Sequence, residues 1–452
     1  MLRRSNCPVH NYKPLGVPVE KSKAKHYNPR CQALAAVTRR CGFSCILLSP
    51  KLSMSMYKAR LEKFEEVLKA PEVNFTQLKS LCFQGIPDHD NYRPMCWRLL
   101  LGYLPANTSE WPETLRRQRN VYERFIEEMI ICSGSGSPEG PQDDHPLNPN
   151  PDSRWQTFFK DNDVLLQIDK DVRRLCPDIC FFQRQTEYPC MTIMNNPQVE
   201  TLRKRVERTA LNSANVTRNR SGITNISLYV KQSNEHYERL PDGQEAHWEV
   251  VERILFLYAK LNPGVGYVQG MNEIIGPIYY TFAADPNPEW KRYAEADCFF
   301  CFTSLMSEIR DFFLKTLDDS ASGIGAMMHQ LMCLLQTEDF DVYSRLQTQE
   351  VRPQYYSFRW ITLLLSQEFP LPDVIRIWDS LLSDSNRFSF LIFICCAMIV
   401  KVRDQLLQGD FPSNMKLLQN FPETDINDLL KDALTIMENN RHRSIFFGKG
   451  LK

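Results

Sequence analysis

Apolar residues recur at helical spacing along most of this chain, and they almost never alternate as a strand requires. From Tyr57 onward, Leu61, Phe64, Val67 and Leu68 mark one face of a first helix. The run Gly85-Ile86-Pro87 breaks it. "YRPMCWRLLLGYLP" then reads as a short buried helix ended by Gly102 and Pro105. "LRRQRNVYERFIEEMII" is a further amphipathic helix. Long helices resume at Trp155, and "AHWEVVERILFLYAKL" is the clearest of them, closed by the turn "NPG". From 297 to 405 the helical segments are almost entirely apolar, and no internal repeat is visible. The pattern predicts an all-α fold of helices joined by loops.

Three stretches fall outside this pattern. Residues 1–53 carry Pro8, Pro14, Pro18, Pro29 and Pro50 and no sustained periodicity, so a disordered basic extension is expected there. Met54 and Met56 directly precede the first helical pattern, and either is a candidate natural start. Residues 133–144, "SGSGSPEGPQDD", have the composition of a flexible linker. Residues from about 213 to 242 are polar and weakly patterned, as in an inserted surface loop. The expected organisation is a helical lead-in at 54–84, a main domain at 85–405, and C-terminal helices with a short basic tail at 406–452.

Composition narrows the function. Hydrophobic residues are 43% and charged residues 24% of 452, which supports a sizeable core. Lys+Arg and Asp+Glu are both 54, but residues 1–53 hold ten of the bases and a single acid, Glu20. The rest of the chain is therefore acidic, which argues against nucleic acid as a partner. No stretch is apolar for the ~20 residues of a membrane span. "FLIFICCAMIV" at 390–400 has the length of a core helix, so any membrane association is expected to be peripheral. The N-terminus lacks a secretory signal's apolar core, and its prolines oppose the amphipathic helix of a mitochondrial leader. Fifteen irregularly spaced cysteines are then expected to be reduced and mostly buried, in a cytoplasmic chain. Cys298 and Cys301 have metal-like spacing but no second Cys/His pair nearby, so they read as core.

The stretch "IDKDVRRLCP" at 168–177 places Arg173 and Arg174 side by side. Leu165, Ile168, Val172 and Leu175 form one apolar stripe, with Arg174 on the wet side. Asp169 lies four residues before Arg173, and Asp171 three before Arg174. Both spacings permit ion pairs. Cys176 precedes proline, so the helix should end near Leu175 with Arg174 in its last turn. Taken alone, this fits either an arginine that suits a helix C-terminus or one aimed outside the chain. "NPGVGYVQGMNE" sets Gln269 between Gly266 and Gly270, just after a tight turn. A glutamine there is usually a loop hydrogen-bonder. An exposed Arg and an exposed Gln on one scaffold nevertheless match what GTP hydrolysis needs, charge neutralisation and water orientation.

Four short motifs in order bring in a resemblance. "RPMCW" (Arg93 to Trp97), "IDKDVRR" (Ile168, Asp171, Arg174), "YVQ" (Tyr267 to Gln269) and "FRWITLLLSQEFPLPDVIRIWD" resemble the R-x-x-x-W, I-x-x-D-x-x-R, Y-x-Q and later tryptophan signatures of the TBC (Tre-2/Bub2/Cdc16) family of Rab GTPase-activating proteins. The resemblance runs from about Gly85 to Lys401. It implies two helical subdomains, with Arg174 as an arginine finger and Gln269 as a glutamine finger. Asp171 and Tyr267 would orient the fingers, and Arg93 and Trp97 would support them. Core packing is at least as good a reading for Trp97, Ile168 and Trp378. Two departures stand out: Arg174 is followed by Leu-Cys-Pro rather than Thr-Phe-Pro, and the stretch between the fingers is longer than usual, largely at 185–245.

The leading expectation is a GTPase activator that supplies its residues in trans to a GTP-loaded Rab. It would have no active site or cofactor of its own, because GTP and Mg²⁺ belong to the partner, and it would be recruited to membranes transiently through the Rab. The competing expectation is a scaffold that binds a Rab or another partner without accelerating hydrolysis. An independent hydrolase has little support, since no Walker A, G-x-S-x-G or H-E-x-x-H pattern is present.

Overall fold

α1 (Pro50–Lys69) begins inside the stretch expected to be an extension, and it buries Phe64 and Val67 against the next helices. The computed structural model describes residues 50–131, 153–196, 199–209, 240–313 and 323–447. Most of the basic extension (1–49), the linker at 133–144, most of the inserted loop (210–239) and the basic tail (448–452) lie outside these residues. Among the described residues the fold is helical, with two isolated β-bridges and no strand.

α2 (Phe75–Phe83) starts at Asn74, whose side chain accepts from the Gln77 N–H. α3 (Tyr92–Leu100) is buried from Pro94 to Leu100 and ends at Gly102, which takes a left-handed φ of 72°. α4 (Trp111–Ile126) and α5 (Arg154–Val172) lead to the most deeply buried helix, α6 (His247–Leu261), buried at every position from His247 to Ala259. α7 (Met271–Ala283) and α8 (Ala294–Ile309) complete a first group, in which α6 packs against α5, α7 and α8. Cys298 and Cys301 are fully buried in α8, where burial pushes both thiols up, so they are core residues.

A second group follows: α9 (Ile324–Glu338), α10 (Phe340–Thr348), α11 (Ser357–Thr362), α12 (Leu371–Ser383), α13 (Ser389–Lys401), α14 (Arg403–Gln408), α15 (Phe411–Gln419) and α16 (Ile426–Phe447). α13, apolar nearly all round, is enclosed by α9, α11 and α16. α12 ties the groups together by packing on α2, α3, α7 and α16.

Polar pairs fix the packing inside the first group. Arg98 is fully buried, bonds Asp297 (3.0 Å) and Asp285 (3.3 Å), and lies over Phe282 at 4.2 Å. The stretch between the two candidate fingers is closed at its base. Thr186 N–H donates to the Glu245 carbonyl (2.9 Å) and His247 N–H to the Arg184 carbonyl (3.1 Å), around the bridge Gln185↔Ala246.

Candidate functional site: two turns on one carboxylate

The stripe Leu165, Ile168, Val172 and Leu175 is buried as its spacing demands, so the end of α5 is fixed against the core. The helix stops at Val172, three residues before the expected end. Arg173 to Leu175 continue as a tight turn, with the Arg174 N–H on the Asp171 carbonyl (3.3 Å) and the Leu175 N–H on the Val172 carbonyl (3.2 Å). The cause is Cys176, which precedes Pro177 and takes a left-handed φ of 45°. Arg174 therefore projects from a turn beyond the helix rather than from its last helical turn.

The turn separates the two arginines. Arg173 folds back: its Nε donates to Asp169 Oδ2 (2.9 Å), its guanidinium lies 5.2 Å from the Trp248 ring centroid, and its side chain is only 17% exposed. The Arg174 side chain is 48% exposed and is held by one bond, Nη2 to Asp171 Oδ1 (2.6 Å). It is anchored at one edge and open elsewhere. Asp171 itself is buried, and its other oxygen, Oδ2, accepts from the Tyr267 hydroxyl (2.8 Å). Burial, and then the Asp171 carboxylate, push the Tyr267 hydroxyl above its ordinary range, so it stays a donor.

Gln269 lies two residues past Tyr267 and is exposed. Its two flanking glycines do different work. Gly266 has φ 64° and open space around it, so the loop can turn there at no steric cost. Gly270 has φ 104°, and a Cβ there would lie 2.8 Å from Leu363 Cδ2, so this glycine accommodates a core leucine rather than a visitor.

The first turn of α7 then grips the arginine turn. Asn272 Nδ2 lies 3.4 Å from the Asp171 carbonyl and donates to Glu273 Oε1 (2.8 Å). Gly276 leaves room for Leu175, whose Cδ1 would sit 3.0 Å from a Cβ. Asn272 and Glu273 were not among the residues singled out from sequence. Their neighbourhood to "YVQ" was the only available signal.

Arg93 and Trp97 meet at a different place. Both reach Asp379 of α12: Arg93 Nε at 3.3 Å and Trp97 Nε1 at 2.9 Å, with the Ile86 N–H at 2.9 Å on the same carboxylate. Trp97 also stacks on Trp378, with centroids 5.9 Å apart. No hydrogen bond joins this cluster to Asp171, Arg174, Tyr267 or Gln269 among the described residues. Its effect is to lock α3 to α12, so any support it gives the Arg174 and Gln269 turns passes through that packing.

The chain is 57% identical over 397 residues to "TBC1 domain family member 13" of Mus musculus, covering 85% of this chain and 99% of that protein. The Homo sapiens protein of the same name is 56% identical, again over 85% of this chain and 99% of its own length. This chain belongs to the Rab-GTPase-TBC family. The sequence profile of the Rab-GTPase-TBC domain matches residues 191–407, which include Tyr267 and Gln269 and begin after Arg174. The crystal structure of the Ypt/Rab-GAP domain of Gyp1p superposes with a TM-score of 0.59 at 25% identity, covering 85% of this chain and 99% of that one. The fold of that domain therefore extends over most of this chain.

Proposed function

We propose that this TBC domain accelerates GTP hydrolysis on a Rab-family GTPase by presenting Arg174 and Gln269 to the partner's nucleotide, and so acts in vesicle trafficking. One observation carries the reading. A single buried carboxylate, Asp171, holds the exposed Arg174 with one oxygen and, with the other, the tyrosine that leads into the exposed Gln269. An arginine so placed can neutralise charge developing on the phosphoryl oxygens, and a glutamine can orient the attacking water. The Gln269 amide has the required pair of functions: a carbonyl to accept from water and an NH₂ to donate to a phosphoryl oxygen. GTP, Mg²⁺ and the water belong to the partner in this scheme, and no step needs a cofactor of the TBC domain.

The test is single-turnover hydrolysis across a panel of GTP-loaded Rab proteins, with wild type and Arg174→Ala. Stimulation by wild type that collapses in the folded variant supports the reading. Equal stimulation by both removes the arginine finger. Binding without stimulation by wild type establishes a scaffold instead.

A further inference from the structure

The turn after α11 holds two consecutive non-glycine residues in left-handed backbone, Leu364 (φ 49°) and Leu365 (φ 64°). Such conformations persist where the surroundings enforce them, and they gather at functional sites. Here the enforcing bonds run from Trp378 Nε1 to the Leu364 carbonyl (3.0 Å) and from the Leu365 N–H to the Trp360 carbonyl (2.9 Å).

The two flanks of this turn both press on the Gln269 loop. Leu363, before the strained pair, fills the space beside Gly270. Gln367, after it, brings its side-chain amide to the Glu273 carboxylate and pulls that group's pKa down. Glu273 also accepts from Asn272, whose amide nitrogen reaches the Asp171 carbonyl. A chain of contacts therefore runs from the second helix group, through Glu273, to the residue that anchors Arg174.

We propose that Glu273, clamped between Gln367 and Asn272, is a positioning residue that sets the Gln269 loop against the Arg174 turn. The inference rests on the two-finger reading above. An ionised carboxylate only accepts, and both of its neighbours here are amide donors, so the charged form matches the clamp. The charged or titratable groups facing it are Asp171, Arg174, the Tyr267 hydroxyl and the Cys176 thiol.

Burial lifts the Glu273 carboxyl to about 7, against the pull of the Gln367 and Asn272 donors. Protonation as pH falls through that value weakens the clamp, so stimulation of hydrolysis falls. Stability moves the opposite way. The carboxyl's folded pKa is raised, so its contribution is complete below its ordinary range, near 4.5, and is lost as pH rises through about 7. Activity and stability thus diverge at this residue.

The experiment measures single-turnover hydrolysis on whichever GTP-loaded Rab responds most strongly to wild type, between about pH 6 and pH 8.5. Wild type, Glu273→Gln, Gln367→Ala and Arg174→Ala are compared, with melting temperatures in parallel. Glu273→Gln turns an NH₂ toward one of the two donors. It is expected to hydrolyse about tenfold more slowly at pH 8 at saturating TBC protein, with half-saturation unchanged and no lower melting temperature. Its rate should lose the wild-type fall below pH 7, and Gln367→Ala should share part of the defect. If Glu273→Gln keeps the wild-type rate and pH profile while Arg174→Ala is inactive, the positioning role is overturned and the fingers stand. If Arg174→Ala is fully active, the two-finger reading falls, and this inference with it.

Discussion

The hydroxyl of Tyr267 donates to Asp171 across 2.8 Å, although 96 residues separate the two in sequence. Removing that hydroxyl tests the bond directly. Tyr267→Phe leaves the buried Asp171 carboxylate short of one donor and is expected to cost about 1–2 kcal/mol of stability. It should also slow stimulated hydrolysis, because Arg174 and the Gln269 loop lose their common anchor. Urea melts and single-turnover rates on the same preparation check both effects. An unchanged rate would show that the anchor is dispensable for chemistry.

The adjacent arginines should fail in opposite ways. Arg174→Ala is expected to lower stimulated hydrolysis by ~10³-fold or more with little change in melting temperature. Arg174→Lys should fail as well, since an ammonium cannot reproduce the planar guanidinium fork. Arg173→Ala loses the Asp169 pair and the Trp248 face, so it should cost about 1–2 kcal/mol of stability while largely keeping the rate. Equal rate losses at both positions would contradict the assignment.

Gln269 separates a two-finger activator from one that supplies only arginine. A responsive Rab whose own switch glutamine is replaced by leucine should remain substantially activated, because the amide arrives in trans. Gln269→Ala should lose a large factor even on the unmodified Rab. A folded Gln269→Ala protein that activates normally, beside a glutamine-less Rab that gains nothing, would exclude the role.

Asp379 accepts from Ile86, Arg93 and Trp97 in a fully buried setting. Asp379→Ala strands all three donors and should destabilise by about 3–5 kcal/mol, more than Arg93→Ala. Chemical denaturation at equilibrium distinguishes the two. A smaller loss at Asp379 than at Arg93 would mean that the cluster does not organise the junction between α3 and α12.

His247 predicts an acid limit. Burial lowers its pKa to about 4, and the ring stacks on Phe181 at 4.2 Å and bonds the Tyr279 hydroxyl. A depressed pKa means that the neutral ring's stability is complete above about 6.5 and is lost as pH falls toward 4. The loss over that window is about 2–3 kcal/mol. In His247→Phe, the slope of stability against pH between those limits should flatten, whatever its absolute stability. Thermal melts across the window test this, and an unchanged slope would show that the ring is not titrating there.

The helical class, the short buried helix at 92–100 and the apolar face of α5 were legible because 3.6-residue spacing dictates which side is buried. The two arginines were less so. Sequence spacing allowed both ion pairs, and both formed, but only the turn at Cys176 decided which guanidinium stays open. Arg93 and Trp97 were recognisable as motif residues. Their target was not, because Asp379 lies nearly three hundred residues away and only tertiary packing joins them. Glu273 escaped notice because an acid in the first turn of a helix is ordinary. What marks it is a neighbour from the turn beyond α11.

The pairing of 184–186 with 245–247 joins the ends of the stretch between Thr186 and Glu245, and Val199, Leu202, Arg205 and Val206 tie its first part into the core, so the polar, weakly patterned sequence between Thr209 and Leu240 is what remains as a branch. With those ends joined and Tyr267 bonded to Asp171, the distance between the Arg174 and Gln269 turns no longer depends on how much chain runs through the branch. Lengthening such a branch costs little, because closure entropy grows only logarithmically with its length. The branch is thus a natural place for sequence to vary between relatives, and a natural graft point. A foreign segment could replace it between Thr209 and Leu240, changing what the domain touches while leaving the spacing of the Arg174 and Gln269 turns alone.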